Sequence, residues 1–157
     1  MTGLTAASCD PADLSKAQHD WTMVVLRQHG KPPIRFLGCA LVAVADGMLF
    51  VRIWLAKSGG FVLSHSIGDG NGETVARHAK GGQIMADLEG YCRDLEESGL
   101  SPADRRTAGR LDIADLMEEV ALRSERRRRF RMLAGAALDA FDAWCALCPH
   151  YETENRT

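Results

Sequence analysis

Three apolar runs separated by two turn sequences constrain the fold of this chain most strongly. Residues 34–45, 48–56 and 61–66 are rich in apolar and β-branched side chains, which is typical of strands. Asp46-Gly47 separates the first two runs, and both residues tolerate the positive φ of a two-residue hairpin turn. Residues 57–60 supply a second turn before the third run. The sequence therefore predicts an antiparallel β-meander over residues 34–66.

Alternation within the second run indicates which face of this meander is buried. Successive side chains of a strand point to opposite faces, so one face of the run is uniformly apolar and the other is mixed. An apolar face needs a covering layer, and helices of the same chain are expected to supply it. The apolar face carries Leu49, Val51, Ile53 and Leu55, and the opposite face carries Phe50, Arg52 and Trp54.

Helices are predicted on both sides of the meander. Residues 11–29 have apolar side chains at helical spacing, with Asp10 as the N-cap, Pro11 at the first helical position and Gly30 as the C-terminal stop. Residues 83–98 form a second amphipathic pattern that Gly99 ends. Residues 73–79 fit either a strand or a first helical turn, and the Gly81-Gly82 break favours a strand.

The C-terminal third of the chain reads as helix over residues 112–148. Its apolar residues approximate a heptad repeat that Arg123 and Arg127 interrupt. The pattern allows one long helix or two helices broken near Ala134-Gly135. A short helix start is also predicted at residues 101–104.

These elements together predict a two-layer α+β fold. We expect an antiparallel meander of three to four strands, packed by the 11–29 and 83–98 helices, with a long C-terminal helix or helical hairpin. The chain of 157 residues suits a single domain, with a helix–meander–helix core over residues 10–100 and a helical extension over 101–150.

Charge and cysteine content indicate which compartment and which kinds of binding partner to expect. The formal net charge of −2 provides no overall basic field for nucleic acid or anionic membranes, so electrostatic binding would need a local patch. The apolar stretches are too short to cross a bilayer, and no secretory signal stands at the N-terminus. We therefore expect a cytoplasmic protein, without a membrane partner and with its five cysteines reduced.

A run of arginines is the most distinctive local feature. Six arginines fall within nine residues that include a single acid, Glu125. Such a density can bind phosphates of nucleic acid, and Phe130 within the run could stack on a base. The net charge of −2 favours two other readings, a solvated helix face paired with Glu118, Glu119 and nearby acids, or a docking surface for an acidic partner. The candidate binding residues are Arg123, Arg126, Arg127, Arg128, Arg129 and Arg131.

The other chemical motifs are weak. Cys145, Cys148 and His150 supply three of the four ligands of a structural zinc site, and the cysteine pair lies at a helix end, where the dipole does not favour a thiolate. No metal or other cofactor is therefore predicted. The glycines between Gly68 and Gly72 lack the pattern of a phosphate-binding loop. Ser64 and His65 are adjacent on a strand, so they point apart and cannot act as nucleophile and base.

Three classes of function remain open. We favour a non-catalytic regulatory or adaptor protein that acts through protein–protein contacts or self-association of the C-terminal helix, for instance as a homodimer. The first alternative is nucleic-acid binding through Arg123–Arg131. The second is a small ligand-binding domain or enzyme with its site near Gly68, Gly72 and His65.

Overall fold

The computed structural model describes residues 21–68, 72–97 and 112–148. Within them, five strands form one antiparallel sheet whose strands follow chain order. The α+β class is confirmed, but the sheet has five strands rather than three or four. The strands are β1 (Thr22–Leu26), β2 (Ile34–Asp46), β3 (Leu49–Ala56), β4 (Phe61–Ser66) and β5 (Thr74–His78), and they are joined by helices α1 (Gly81–Glu97) and α2 (Ile113–Leu147).

The first strand corrects the helix predicted over residues 11–29. Residues 22–26 pair antiparallel with β2, from Thr22 opposite Gly38 to Leu26 opposite Ile34. Threonine and the adjacent Val24-Val25 pair are β-branched, so this segment suits a strand, and pairing with β2 overrides the helical spacing. Residues 11–20 lie outside the described residues. The sheet is therefore covered by α1 and α2, and β1 extends it.

The hairpin between β2 and β3 turns one residue later than predicted. Asp46 still pairs with Leu49, so Gly47 and Met48 are the two turn residues. Gly47 has a φ of 61°, which a residue with a side chain rarely adopts at the first position of such a turn. Asp46 therefore stays at the end of a strand, where its side chain can contact other elements.

The sheet curls until its two ends meet. Gln28, just after β1, forms bridges with Gly72 and Glu73, just before β5. Curling buries a small apolar cluster on one face, to which neither of the two described helices contributes. This cluster contains Leu26, Phe36, Trp54, Ala56 and Val62.

Glu73 holds this closure together. Its carboxylate accepts a hydrogen bond from the fully buried hydroxyl of Ser64 on β4. It also accepts one from the backbone N–H of Arg27, at 3.0 Å. One side chain thus ties the end of β1 and the start of β5 to the middle of the sheet.

The main core lies between the other face of the sheet and the two helices. The alternation predicted for β3 is confirmed, since its apolar face packs beneath α1 and α2. Phe61 meets Phe141 edge to face, with their ring centroids 5.4 Å apart. Fully buried members of this core include Val51, Ile53, Leu63, Ile84, Leu88, Phe130 and Phe141.

Helix α2 is one continuous helix of 35 residues, which makes it about 50 Å long. Asp112 caps its N-terminus by accepting a hydrogen bond from the N–H of Ala114. The helix continues through Gly135 without a break, so this segment is one long helix and not two helices broken near Ala134-Gly135. Its buried residues begin at Phe130, and Ile113 and Met117 near its start are exposed. Neither described helix has an apolar stretch long enough to cross a membrane.

Candidate protein-binding site

The arginine run lies on α2, where acids of the same chain engage several of its members. Arg128 donates to Glu125 through Nε at 3.0 Å and through Nη2 at 2.7 Å. Paired N–H groups on one carboxylate form the strongest class of arginine contact. The guanidinium holds the pKa of Glu125 below its usual range, chiefly through this hydrogen bonding. Arg128 is therefore already paired on its own helix.

Arg129 makes the equivalent contact across the fold. Its Nε and Nη2 donate to the two carboxylate oxygens of Asp46, at 3.0 and 2.7 Å. Hydrogen bonding to Arg129 keeps the pKa of Asp46 below its ordinary value, so the carboxylate is charged at neutral pH. This pair joins α2 to the β2–β3 hairpin and fixes the distance between them.

The remaining arginines do not complete an open basic surface. Arg123 approaches Glu119 at 3.9 Å. Arg126, Arg127 and Arg131 are partly buried. Arg131 lines a separate cavity of about 300 Å³ between α1 and α2. The six arginines are thus distributed around the helix, and at least three of them lie close to an acid among the described residues.

A groove lies where α2 passes the β2–β3 hairpin. It encloses about 530 Å³, which is within the range of binding cavities in proteins. Its floor is apolar, and its rim carries the two arginine–carboxylate pairs. We refer to it as the α2 groove, lined by Ala45, Asp46, Glu125, Arg128, Arg129, Met132, Leu133 and Ala136.

Exposed apolar side chains also follow a side of α2 that lies next to its core-facing side. Met132 in the α2 groove is 67% exposed, and Leu122 and Leu147 towards the two ends are 61% and 65% exposed. Spacings of seven, three and four residues place these side chains on one stripe. We name it the outer stripe, formed by Leu122, Arg129, Met132, Ala136, Ala143 and Leu147. Helix α2 is therefore apolar on two sides, and the described core covers one of them.

The cysteine motif lies in the core. Cys145 and Cys148 are buried, and burial raises the pKa of the Cys148 thiol, which disfavours a reactive thiolate. His150 lies outside the described residues. Among the residues that the structure describes, no three His, Cys, Asp or Glu side chains are grouped as metal ligands.

His65 is placed away from solvent. It is 2% exposed, and its ring lies 4.3 Å from that of Tyr91 and 5.6 Å from that of Phe130. Ser64 points to the opposite face, as predicted, where it bonds to Glu73. Residues 69–71 of the glycine-rich loop lie outside the described residues. Burial makes His65 unsuitable for contacting a ligand directly.

A shallower cavity of about 410 Å³ lies at the β3–β4 turn. Gly59 and Gly60 of the turn and Arg77 and His78 of β5 are among the residues that line it. The Nε2 of His78 lies 2.6 Å from an oxygen of Asp87 on α1. This contact directs the imidazole towards α1, and the guanidinium of Arg77 lies over the ring of Phe36, 5.6 Å from its centroid.

The chain matches no protein-family model, no curated protein sequence and no solved structure. The site residues that sequence reasoning missed are Asp46, Leu122, Met132, Ala136 and Leu147. Asp46 pairs with a residue 83 positions away, which no local pattern reveals. The signal for the others was present, since Leu122, Met132 and Leu147 fall outside the heptad pattern assigned to the core.

Proposed function

We propose that this protein is a non-catalytic adaptor or regulator that binds an amphipathic helical segment of a protein partner in the α2 groove. We place this function in the cytoplasm. The observation that carries the proposal is the combination of an apolar floor, an exposed methionine and a rim of oriented arginines in one groove along a long helix.

The shape of the α2 groove favours a helix as its occupant. It runs beside α2, and the exposed Met132 and Ala136 offer contacts at the spacing that a second helix uses. Methionine has a flexible and polarisable side chain, so it adapts to different apolar partners. An amphipathic segment would cover the exposed apolar surface and keep its polar face in water.

The arginines favour carboxylates on the partner. A guanidinium has five N–H donors, and Asp46 uses two of those of Arg129. The other donors of Arg129 make no hydrogen bond among the described residues. They can accept a second carboxylate beside the apolar contacts, which would select acidic amphipathic segments.

Nucleic-acid binding is the weaker alternative. Glu119, Glu125 and Asp46 compensate three of the six arginines, and phosphate binding needs cations that are free to replace counterions. We expect no binding of duplex or single-stranded DNA or RNA in fluorescence anisotropy, even at low salt. Binding that falls steeply with salt and is lost when Arg126, Arg127, Arg128 and Arg129 are neutralised would support this alternative instead.

Selection from a peptide library on the purified full-length protein tests the proposed function. We expect helical peptides with apolar anchors three or four residues apart and flanking carboxylates. Met132→Glu should weaken their binding by about a hundredfold, because it places a charge on the apolar floor. Met117→Glu is the matched control, since Met117 is equally exposed at 67% on the same helix but outside the groove. Failure to select any peptide that depends on Met132 would contradict the proposal.

A further inference from the structure

We infer that the outer edge of β1 binds an extended, acidic segment of a partner protein, which adds to the described sheet as a further strand. This edge is separate from the α2 groove. β1 pairs with residues 34–38 at the start of β2, whereas the groove lies beside Ala45 and Asp46 at the end of β2. Binding at the β1 edge therefore does not depend on the proposed function of the α2 groove.

Two hydrogen bonds show which backbone groups of β1 point away from β2. The N–H of Arg27 donates to the carboxylate of Glu73, at 3.0 Å, and not to β2. The carbonyl oxygen of Leu37, the residue opposite Met23, faces β3 and accepts from the backbone N–H that follows β3, at 2.9 Å. Because the backbone groups of a strand alternate between its two sides, those of Met23 and Val25 point outward. Together they present two N–H donors and two carbonyl acceptors that make no hydrogen bond among the described residues.

The side chains of the same residues make this edge apolar. Met23 and Val25 are 63% and 45% exposed, and Leu37 beside Met23 on β2 is 38% exposed. These three side chains lie on one face, because alternate residues of a strand and directly paired residues share a face. The five residues of β1 contain no charged residue and no proline, which are common means of preventing an edge strand from pairing further. An added strand would therefore cover apolar surface and satisfy backbone groups at the same time.

Two arginines beside this edge favour an acidic partner. Arg27 follows Val25 on the same face, and Arg35 lies opposite Val25 on β2. Both arginines are exposed and make no ion pair among the described residues. Pairing with β1 of a second copy would bring the same arginines to the contact, whereas a carboxylate on a different chain would pair with them. A segment with apolar residues opposite Met23 and Val25 and an acid opposite Arg27 fits the edge.

The sheet closure limits how much of β1 is open to an added strand. Glu73 already occupies the N–H of Arg27, and Gln28 forms bridges with Gly72 and Glu73. The open edge therefore ends at Leu26 and is five residues long. A short linear segment of a partner suits an edge of this length better than a strand of a folded domain does.

Fluorescence anisotropy of the full-length protein with two labelled peptides tests the β1 edge. In each peptide valines alternate with threonines, and a glutamate stands two positions before or after the valines, so that both strand directions are covered. We expect one peptide to bind, and Val25→Pro to weaken it at least about tenfold by removing an outward N–H donor. Replacing both Arg27 and Arg35 by glutamine should weaken binding about fivefold. Lys80→Gln, which removes an exposed cation away from this edge, should leave binding unchanged.

Alternate N-methylation of the peptide gives a test that leaves the protein unchanged. Methyl groups on the peptide nitrogens that face β1 should abolish binding, and methyl groups on the other nitrogens should not, because an edge bonds to alternate groups only. Equal effects of the two methylation patterns, or no binding of either peptide, would overturn strand addition at β1. Hydrogen-exchange protection of the Met23 and Val25 amides that rises with protein concentration, without peptide, would overturn the acidic partner and identify a second copy instead.

Discussion

His65 shows how a single residue makes stability depend on pH. Burial lowers the pKa of its imidazole below the ordinary value of 6.5, and the charge of Asp87 opposes this with a smaller effect. The unfolded chain therefore binds the proton more tightly than the folded protein does. The stability that a neutral His65 provides is complete above about pH 6.5 and is lost as the pH falls towards the folded pKa.

The lowered pKa of His65 predicts that the protein loses stability as the pH falls. The free energy of unfolding should fall by up to about 1.4 kcal/mol per pH unit below about pH 6.5. His65→Phe should remove this contribution, because phenylalanine has no titrating group and suits the Tyr91 and Phe130 rings. Urea denaturation at about pH 7.5 and about pH 5.5 measures the effect. His29→Gln, which changes an exposed histidine outside this cluster, serves as the control. An unchanged acid sensitivity in His65→Phe would assign the titration to another group.

At the scale of elements, the contact between Glu73 and Ser64 closes the curled sheet. Glu73→Ala should destabilise the protein by about 1–3 kcal/mol, because it leaves the buried Ser64 hydroxyl without its acceptor. Ser64→Ala should cost less, because the carboxylate that remains is half-buried and keeps the N–H of Arg27. Denaturation measures both losses, and hydrogen exchange should show faster opening of β1 in Glu73→Ala. A larger loss in Ser64→Ala would contradict this account.

The sequence was sufficient to predict those strands and helices whose formation depends on residues close to one another in the chain. β2, β3 and β4 follow from alternation and turn residues, and α1 and α2 follow from helical spacing and caps. β1 could not be found this way, because Thr22–Leu26 becomes a strand only when β2 pairs with it. The sheet closure and the pair between Arg129 and Asp46 also depend on residues far apart in the chain. The arginine run was correctly predicted to lie on a helix. Its pairing with Asp46 could be seen only in the folded structure.

At the scale of the whole molecule, α2 links the core to the surface that we propose for binding. One side of α2 completes the core through Phe130 and Phe141, and the other side presents Met132 and the outer stripe to solvent. Arg129 and Asp46 set the width of the α2 groove by joining this helix to the β2–β3 hairpin. The function that we propose therefore depends on one helix with two apolar sides, rather than on a catalytic group.

Site-specific photocrosslinking in cells of the source organism tests this account most directly. A photoreactive residue would replace Met132 in the α2 groove or, as the control, the equally exposed Met117. The account predicts protein adducts from position 132 that are absent from position 117, with an adduct of twice the monomer mass identifying a second copy and other masses identifying other partners. Position 132 without any protein adduct, or with the same adducts as position 117, would contradict it.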